Sequence, residues 1–397
     1  MSAAAARTAP KQPPADLVVS SERDSGPQSL RDAILAADRS SSHAHILVTA
    51  KTIRIDSALP ALINPRGVEI EASPGSGTID AEHLAKGAVL QINSPGSTLK
   101  GLHITRARDS AIIVNAAGVQ LESVTVTDSK VGLLLGSAAR GGALRTSTFE
   151  RDETALMTER GVRDVTILSC VFRDNTRAAI WSVGAAENSK PGQSDPPEPL
   201  VSVIDGLFER NASGVVVADQ PVLIQKSRFI ASRGSAVLIL SGAARLEANE
   251  IRESGDTAIS VAGGRHVHLS RNTLSDNPKT AIMVRDSEVT LEGNTLTHNG
   301  FGIVSIISQP SLSSLLDGNL INRTTGDALT IIGTAPQLRR NQIIDNSGVA
   351  LRALDLVEAH GVLKAAPSLE TNVLRGNGVD QPVHGVYKAT GGPDRAH

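Results

Sequence analysis

The chain has 397 residues, a formal net charge of -2 and only 2% aromatic residues. That balance offers no basic stripe for gathering phosphates, which excludes nucleic acid as a partner, and no run approaches the roughly 18 apolar residues of a membrane span. The single cysteine, Cys170, excludes a disulfide framework and a cysteine-based zinc cage, and it reads as a small buried filler.

Residues 1–16 are rich in Ala and Pro and are expected to be disordered. They lack the apolar h-region of a signal peptide, which leaves either a mature exported chain behind a start methionine or a cytoplasmic protein with a loose tail. DLVVSS (16–21) then reads as a short strand and DSGP (24–27) as a turn. In the segment 28–37 the apolar residues fall at Leu30, Ala33, Ile34 and Ala37, one face of a short helix. Such a helix suits the open end of a strand stack, where it covers core side chains and unpaired strand edges.

From His45 the pattern changes to runs of about 3 to 5 alternating residues separated by Gly, Pro, Asn and Ser. One phrase then repeats: LEANEI (246–251), LSRNTL (269–274), LEGNTL (291–296), LDGNLI (316–321) and LRRNQI (338–343), with asparagine spacings of 23, 22, 25 and 22. A fixed period of this size marks a solenoid rather than two or three separate domains. The anchors after each turn are Ile104, Val126, Phe149, Phe172, Phe208, Phe229, Ile251, Leu274, Leu296, Ile321, Ile343 and Leu374. Six or seven residues later comes a small residue, among them Gly132, Ala155, Ala178, Gly214 and Ala258, and then an alternating strand. Three strands per repeat follow, with about 12 regular coils stacked into a rod of roughly 60 Å.

Like residues then form columns. Asn249, Asn272, Asn294, Asn319, Asn341 and Asn372 are expected to make a ladder, tolerating a left-handed bend and bonding through their amides to the coils above and below. A second series three residues after the anchor, including Ser129, Asp152, Asn175, Asn211, Asn277 and Asn299, reads as turn chemistry without a ligand.

The repeated L-x-x-N-x-[IL], the small-aliphatic strand behind it and the start VVSSERDSGPQSLRDAILAAD resemble the right-handed parallel β-helix of the pectate-lyase-like superfamily over about residues 17–385. The resemblance implies an all-β fold, with an N-terminal strand and capping helix at 17–43, a β-helix at 44–390 and a tail at 391–397. It also implies a secreted or periplasmic protein associated with polysaccharide, acting as a lyase or epimerase or else serving as a non-catalytic scaffold. In that superfamily, long loops after the first sheet wall a saccharide groove. Here the connections 184–199, 307–314 and 354–367 are enlarged at that corner.

Strand alternation gives the outward column Ile113, Leu134, Met157, Ile180, Val216, Leu238, Ser260, Met283, Val304, Thr330 and Arg352. Its apolar half needs cover, from the chain itself, from a second copy packing on Ile113, Leu134, Met157, Val216 and Leu238, or from a ligand. Polar groups gather toward the C-terminal half. The resemblance to acidic-sugar lyases and epimerases calls for a cation and a base, and Lys279, Arg285, Asp327 and Arg352 are the candidates. Asp256, Asp286, Trp181, Asp355 and His360 are the candidate substrate contacts. His266 and His268 alternate on one strand, with no carboxylate expected in the adjacent columns, so no metal and no cofactor is assigned.

Overall fold

The computed structural model describes residues 16–184, 198–309, 311–358 and 361–388. Its one helix among these residues, Leu30–Arg39, buries Leu30, Ala33, Ile34 and Ala37, the face read from the sequence. Ser29 caps it by accepting from the backbone N–H of Asp32 at 3.2 Å. The buried face packs on the strands Leu17–Val19 and Ala44–Val48, which closes the N-terminal end of the stack.

The rest of the described chain winds as coils of three short strands, and the same three faces recur. We name them A (for example Val131–Leu135), B (Ala143–Arg145) and C (Thr148–Glu150). Face C holds 14 parallel strands, whereas A and B are joined into one sheet because two long strands, Val237–Glu247 and Ile259–Ser270, run through the A–B corner. A register shift between Gly242 and Ala244 bends them there. The anchor column is continuous on face C and reaches two coils further upstream than the repeat suggests, through Ile79 to Ile53. The first coils lack the phrase yet keep the register.

Each apolar strand residue that faces inward is covered by its counterparts one coil above and below, and this stacking supplies the core. Phe149, Phe172, Phe208 and Phe229 stack with ring centroids 5.5, 5.0 and 4.4 Å apart. At the B–C turn, each asparagine from Asn249 to Asn341 donates its backbone N–H and its amide to the Oδ1 of the next one, the backbone bonds being 2.9–3.0 Å. The left-handed residue of this turn is the one before the asparagine (Ala248, Arg271, Gly293, Gly318, Arg340, Thr371), so the asparagine serves for its amide and not for its backbone tolerance. Ser227 and Cys170 continue the column upstream. Cys170 is buried, and burial pushes its thiol up to about 11, which leaves it inert.

The C–A turn carries a second ladder, more than the turn chemistry read from the sequence. Asn277 donates to Asn299 at 2.8 Å, Asn346 to Asn377 at 2.8 Å, and Asp380 accepts from Asn377 at 2.8 Å to end the series. Thr324 belongs to it as well, donating to Asn346.

One coil departs from the expected register. Met157 is paired with Trp181 and Leu156 with Ile180, so Trp181 takes the outward place and Ile180 is in the core at 1% exposure. The small-residue column passes through Ala179, not Ala178. The C–A turn comes in two lengths, and two adjacent alanines hide which one applies; a slip of one residue exchanges the faces. The enlarged connection 354–367 is also partly strand, because Leu351–Glu358 extends and pairs antiparallel with Gly361–Leu363. Residues 185–197 of the longest connection lie outside the described residues.

Asp152 stands in the second ladder between Ser129 and Asn175, at a place that asparagine holds on the next two coils. Its Oδ1 accepts from Ser129 N–H at 2.8 Å, while the buried Oδ2 has no partner. By ladder equivalence Oδ2 replaces an amide nitrogen and meets only acceptors. Burial raises this carboxyl to about 8, and the proton turns it into the donor that the ladder lacks. A carboxyl raised above its unfolded value of 3.8 contributes stability that is full below about pH 4 and is lost as pH rises through about 8. Asp152→Asn should therefore melt higher than the wild type. In denaturant titrations the gap should widen between pH 4 and 8 by up to about 1.4 kcal/mol per pH unit, then level off; parallel pH profiles would show that Asp152 is already ionised.

Candidate functional site

The outer side of face A is built by alternation: in Val131–Leu135, Leu133 points into the core and Leu134 outward. Its central column runs Ile113, Leu134, Met157, Trp181, Val216, Leu238, Ser260, Met283, Val304, Thr330, Arg352. The only tryptophan of the chain thus lies within the apolar stripe and not merely at the foot of a loop. The Arg177 guanidinium sits over its ring at 4.5 Å from the centroid. Val216 next to it is buried although it faces outward.

The polar residues at the other end fall into separate pairs. Lys279 and Asp256 lie on adjacent coils with 3.2 Å between Nζ and Oδ1, both well exposed. Asp327 and Arg352 are more enclosed: Nε to Oδ2 is 2.5 Å, Nη2 to Oδ1 is 3.2 Å, and Asp327 also accepts from Val349 N–H at 2.9 Å. Burial works against ionisation of Asp327, yet these bonds outweigh it and hold the carboxyl below the usual range. The same pairing raises Arg352.

The four candidate catalytic residues do not form one cluster. Lys279 precedes the strand Thr280–Arg285 and Arg285 ends it, which puts them roughly 20 Å apart at about 3.3 Å per residue. Asp286, at the A–B corner, accepts from the N–H and hydroxyl of Ser308 at 2.7 and 2.8 Å and so pins the connection 307–314. Asp355 binds Lys364 at 2.6 Å and Ala365 N–H at 3.0 Å, which fastens the C-terminal hairpin. His360 lies outside the described residues. Trp181 is seven coil steps from Arg352, about 34 Å at the inter-strand spacing.

Phe301 was missed by sequence reasoning. It is 46% exposed and in the same register column as Thr280, beside the coil of Asp327, so an aromatic ring stands between the two ion pairs. The signal was available: Thr257 and Thr280 occupy its place in the two preceding repeats, and the phenylalanine comes with Gly326 on the next coil, where a Cβ would meet its ring. The histidine pair is also corrected. His266 has φ 54 and belongs to the corner irregularity, while His268 meets a carboxylate after all, with Nε2 3.3 Å from Glu292.

The described geometry is that of a parallel β-solenoid with a capped first coil. Residues 192–343 and 244–393 match the model of the right handed beta helix region family, together a little over half of the chain. The chain belongs to that family, in keeping with the pectate-lyase-like resemblance of its repeats. Its fold is similar to a periplasmic alginate epimerase (13% identity, 87% of this chain and 82% of that one, TM-score 0.56). It is likewise similar to the A-module of a mannuronan C-5 epimerase from Azotobacter vinelandii (12% identity, 77% and 98%, TM-score 0.54). A third likeness is to the catalytic domain of an alpha-1,3-glucanase (10% identity, 94% and 71%, TM-score 0.53). At such identities the likeness concerns the fold. No curated protein sequence matches significantly.

Asp327→Ala leaves Arg352 and Val349 N–H without their acceptor. We expect a loss of about 1–3 kcal/mol in denaturant unfolding. The contribution of a depressed carboxyl is present above its unfolded value and lost as pH falls through its folded one, so the gap between wild type and variant should close below about pH 4. A gap independent of pH would assign the loss to packing alone.

Proposed function

We propose that the chain is an exported protein that binds an acidic polysaccharide lengthwise along the outer side of face A. The observation that carries this reading is the character of that face: an apolar column around Trp181 and Arg177 that continues to the Lys279–Asp256 pair and, past Phe301, to the Arg352–Asp327 pair. Sugar rings present C–H faces that pack on indole and phenyl rings, and uronate carboxylates match guanidinium and ammonium groups. The likeness of the fold to the two epimerases and the glucanase supports a polysaccharide as the partner, and the periplasmic setting of one of them supports export.

The sole tryptophan makes the reading directly testable. Titration with polymannuronate, polyguluronate and polygalacturonate should give a saturable change in tryptophan emission with at least one polymer. Arg177→Ala and Phe301→Ala should weaken binding by roughly tenfold, the size of one aromatic or charged contact. A flat response to the whole panel, or variants that bind as the wild type does, would remove face A as the binding surface.

A second reading, lyase or epimerase, is favoured by the placement of Phe301 between two charged pairs, a patch where a bound sugar would have a cation and a carboxylate within reach. Proton removal at C5 needs a base within reach of the sugar, and Lys279 is the exposed member of the candidate set on this patch. Incubation with the same polymers should then produce unsaturated-uronate absorbance or altered uronate composition by NMR. Lys279→Ala and Arg352→Ala should each abolish turnover with the circular dichroism unchanged. Binding without either product would leave the protein a non-catalytic binder.

A further inference from the structure

The first two coils carry a group of side chains that the polysaccharide reading does not use. His45 lies on the strand Ala44–Val48, and Glu69 and Glu71 lie on Val68–Ala72 of the next coil; His45 is in register with Glu69. All three point outward from face B, and their ligand atoms fall within 4.8 Å of one another. Nδ1 of His45 is 2.8 Å from Asp16, and Nδ1 of the preceding His43 is 3.2 Å from the carbonyl of Arg66. A carboxylate and a carbonyl only accept, so both Nδ1 atoms carry hydrogen and each ring turns Nε2 toward the glutamates. Nε2 of His45 is 3.5 Å from Glu71, and that of His43 is 4.0 Å from Oε2 of Glu69. Lys100 occupies only the other oxygen of Glu69, at 2.5 Å.

We propose that His45, Glu69 and Glu71 form a divalent-cation site of the zinc class, with His43 placed to complete the coordination. Two features point to a metal rather than to a surface ion cluster. The donor set is mixed nitrogen and oxygen, which suits zinc. The Asp16–His45 contact is the carboxylate–histidine arrangement that orients metal-bound imidazoles. Two of the ligands stand on one rigid strand and His45 on its neighbour, so the carboxylates need only close inward by rotamer changes to reach bonding distance. A bound ion would fasten the first coil to the second and, through Asp16, to the first strand, at the end closed by the helix.

Calorimetric titration of the chelator-treated full chain with zinc chloride tests the site, alongside melting curves with and without zinc. One equivalent should bind, and the melting temperature should rise with zinc. His45→Ala and Glu71→Gln should weaken binding by at least about tenfold, and Asp16→Asn by about 10–100-fold. His268→Ala serves as a control that binds as the wild type does. These side chains face solvent, so circular dichroism should not change; should His45→Ala fold poorly, His45→Gln replaces it. Absence of zinc binding by the wild type, or wild-type affinity in both His45→Ala and Glu71→Gln, overturns the proposal.

Discussion

Every coil of this protein is held by its neighbours in parallel register, and that dependence governs what each residue is allowed to do. A single coil buries nothing by itself. Its strands gain backbone partners, and its inward aliphatics gain contacts, only when the coils above and below present the same residue type at the same height. The asparagine amides are the clearest expression of this constraint. Asn272 accepts from Asn249 and donates to Asn294, while also donating to the carbonyl of Leu246. A buried amide is satisfied only as a member of the series, which is why the ladder ends in residues of other chemistry, such as Ser227 at one end, and the second ladder in Asp380.

The same dependence explains which parts of the molecule are legible in the amino-acid sequence. Anchors, asparagines and the capping face of the helix recur or alternate with a period, and periodic information survives in the sequence. Two kinds of information do not. The first is turn length: Ala178 and Ala179 are interchangeable to the eye, and a single extra residue moves Trp181 from an assumed loop base to the outward column. The second is side-chain reach along a strand. Lys279 and Arg285 are near in sequence and share a strand, yet an extended chain carries them to opposite corners. Asp286 and Asp355 stand out in the sequence as polar residues at the rim, and both hold connections in place.

What distinguishes one coil of this fold from another is its departures from the repeat. Phe301 replaces threonine, Asp152 replaces the asparagine of later coils, and His45 and Glu69 stand in a column that continues as Thr98, Gln120, Ala143 and Thr166. The departures sit at different heights along the rod. Because stacked coils communicate only with their neighbours, a change at the capped end reaches the Trp181 region solely through the coils between. The binding proposed along face A and the cation site proposed on face B are therefore separable on one rod.

The phenylalanine run has a further meaning for how such a rod comes apart. Four consecutive coils are joined by ring stacks that tighten from 5.5 to 4.4 Å, while the last coil leaves Leu369, Val373 and Val386 exposed. In a one-dimensional array, opening begins where the fewest contacts must be given up and advances coil by coil. Fraying thus enters from the C-terminal coil and stalls at Phe229, so amide protons between Phe149 and Phe229 exchange last. The middle of the molecule is its clock, and the apolar column with Trp181 lies on the same coils.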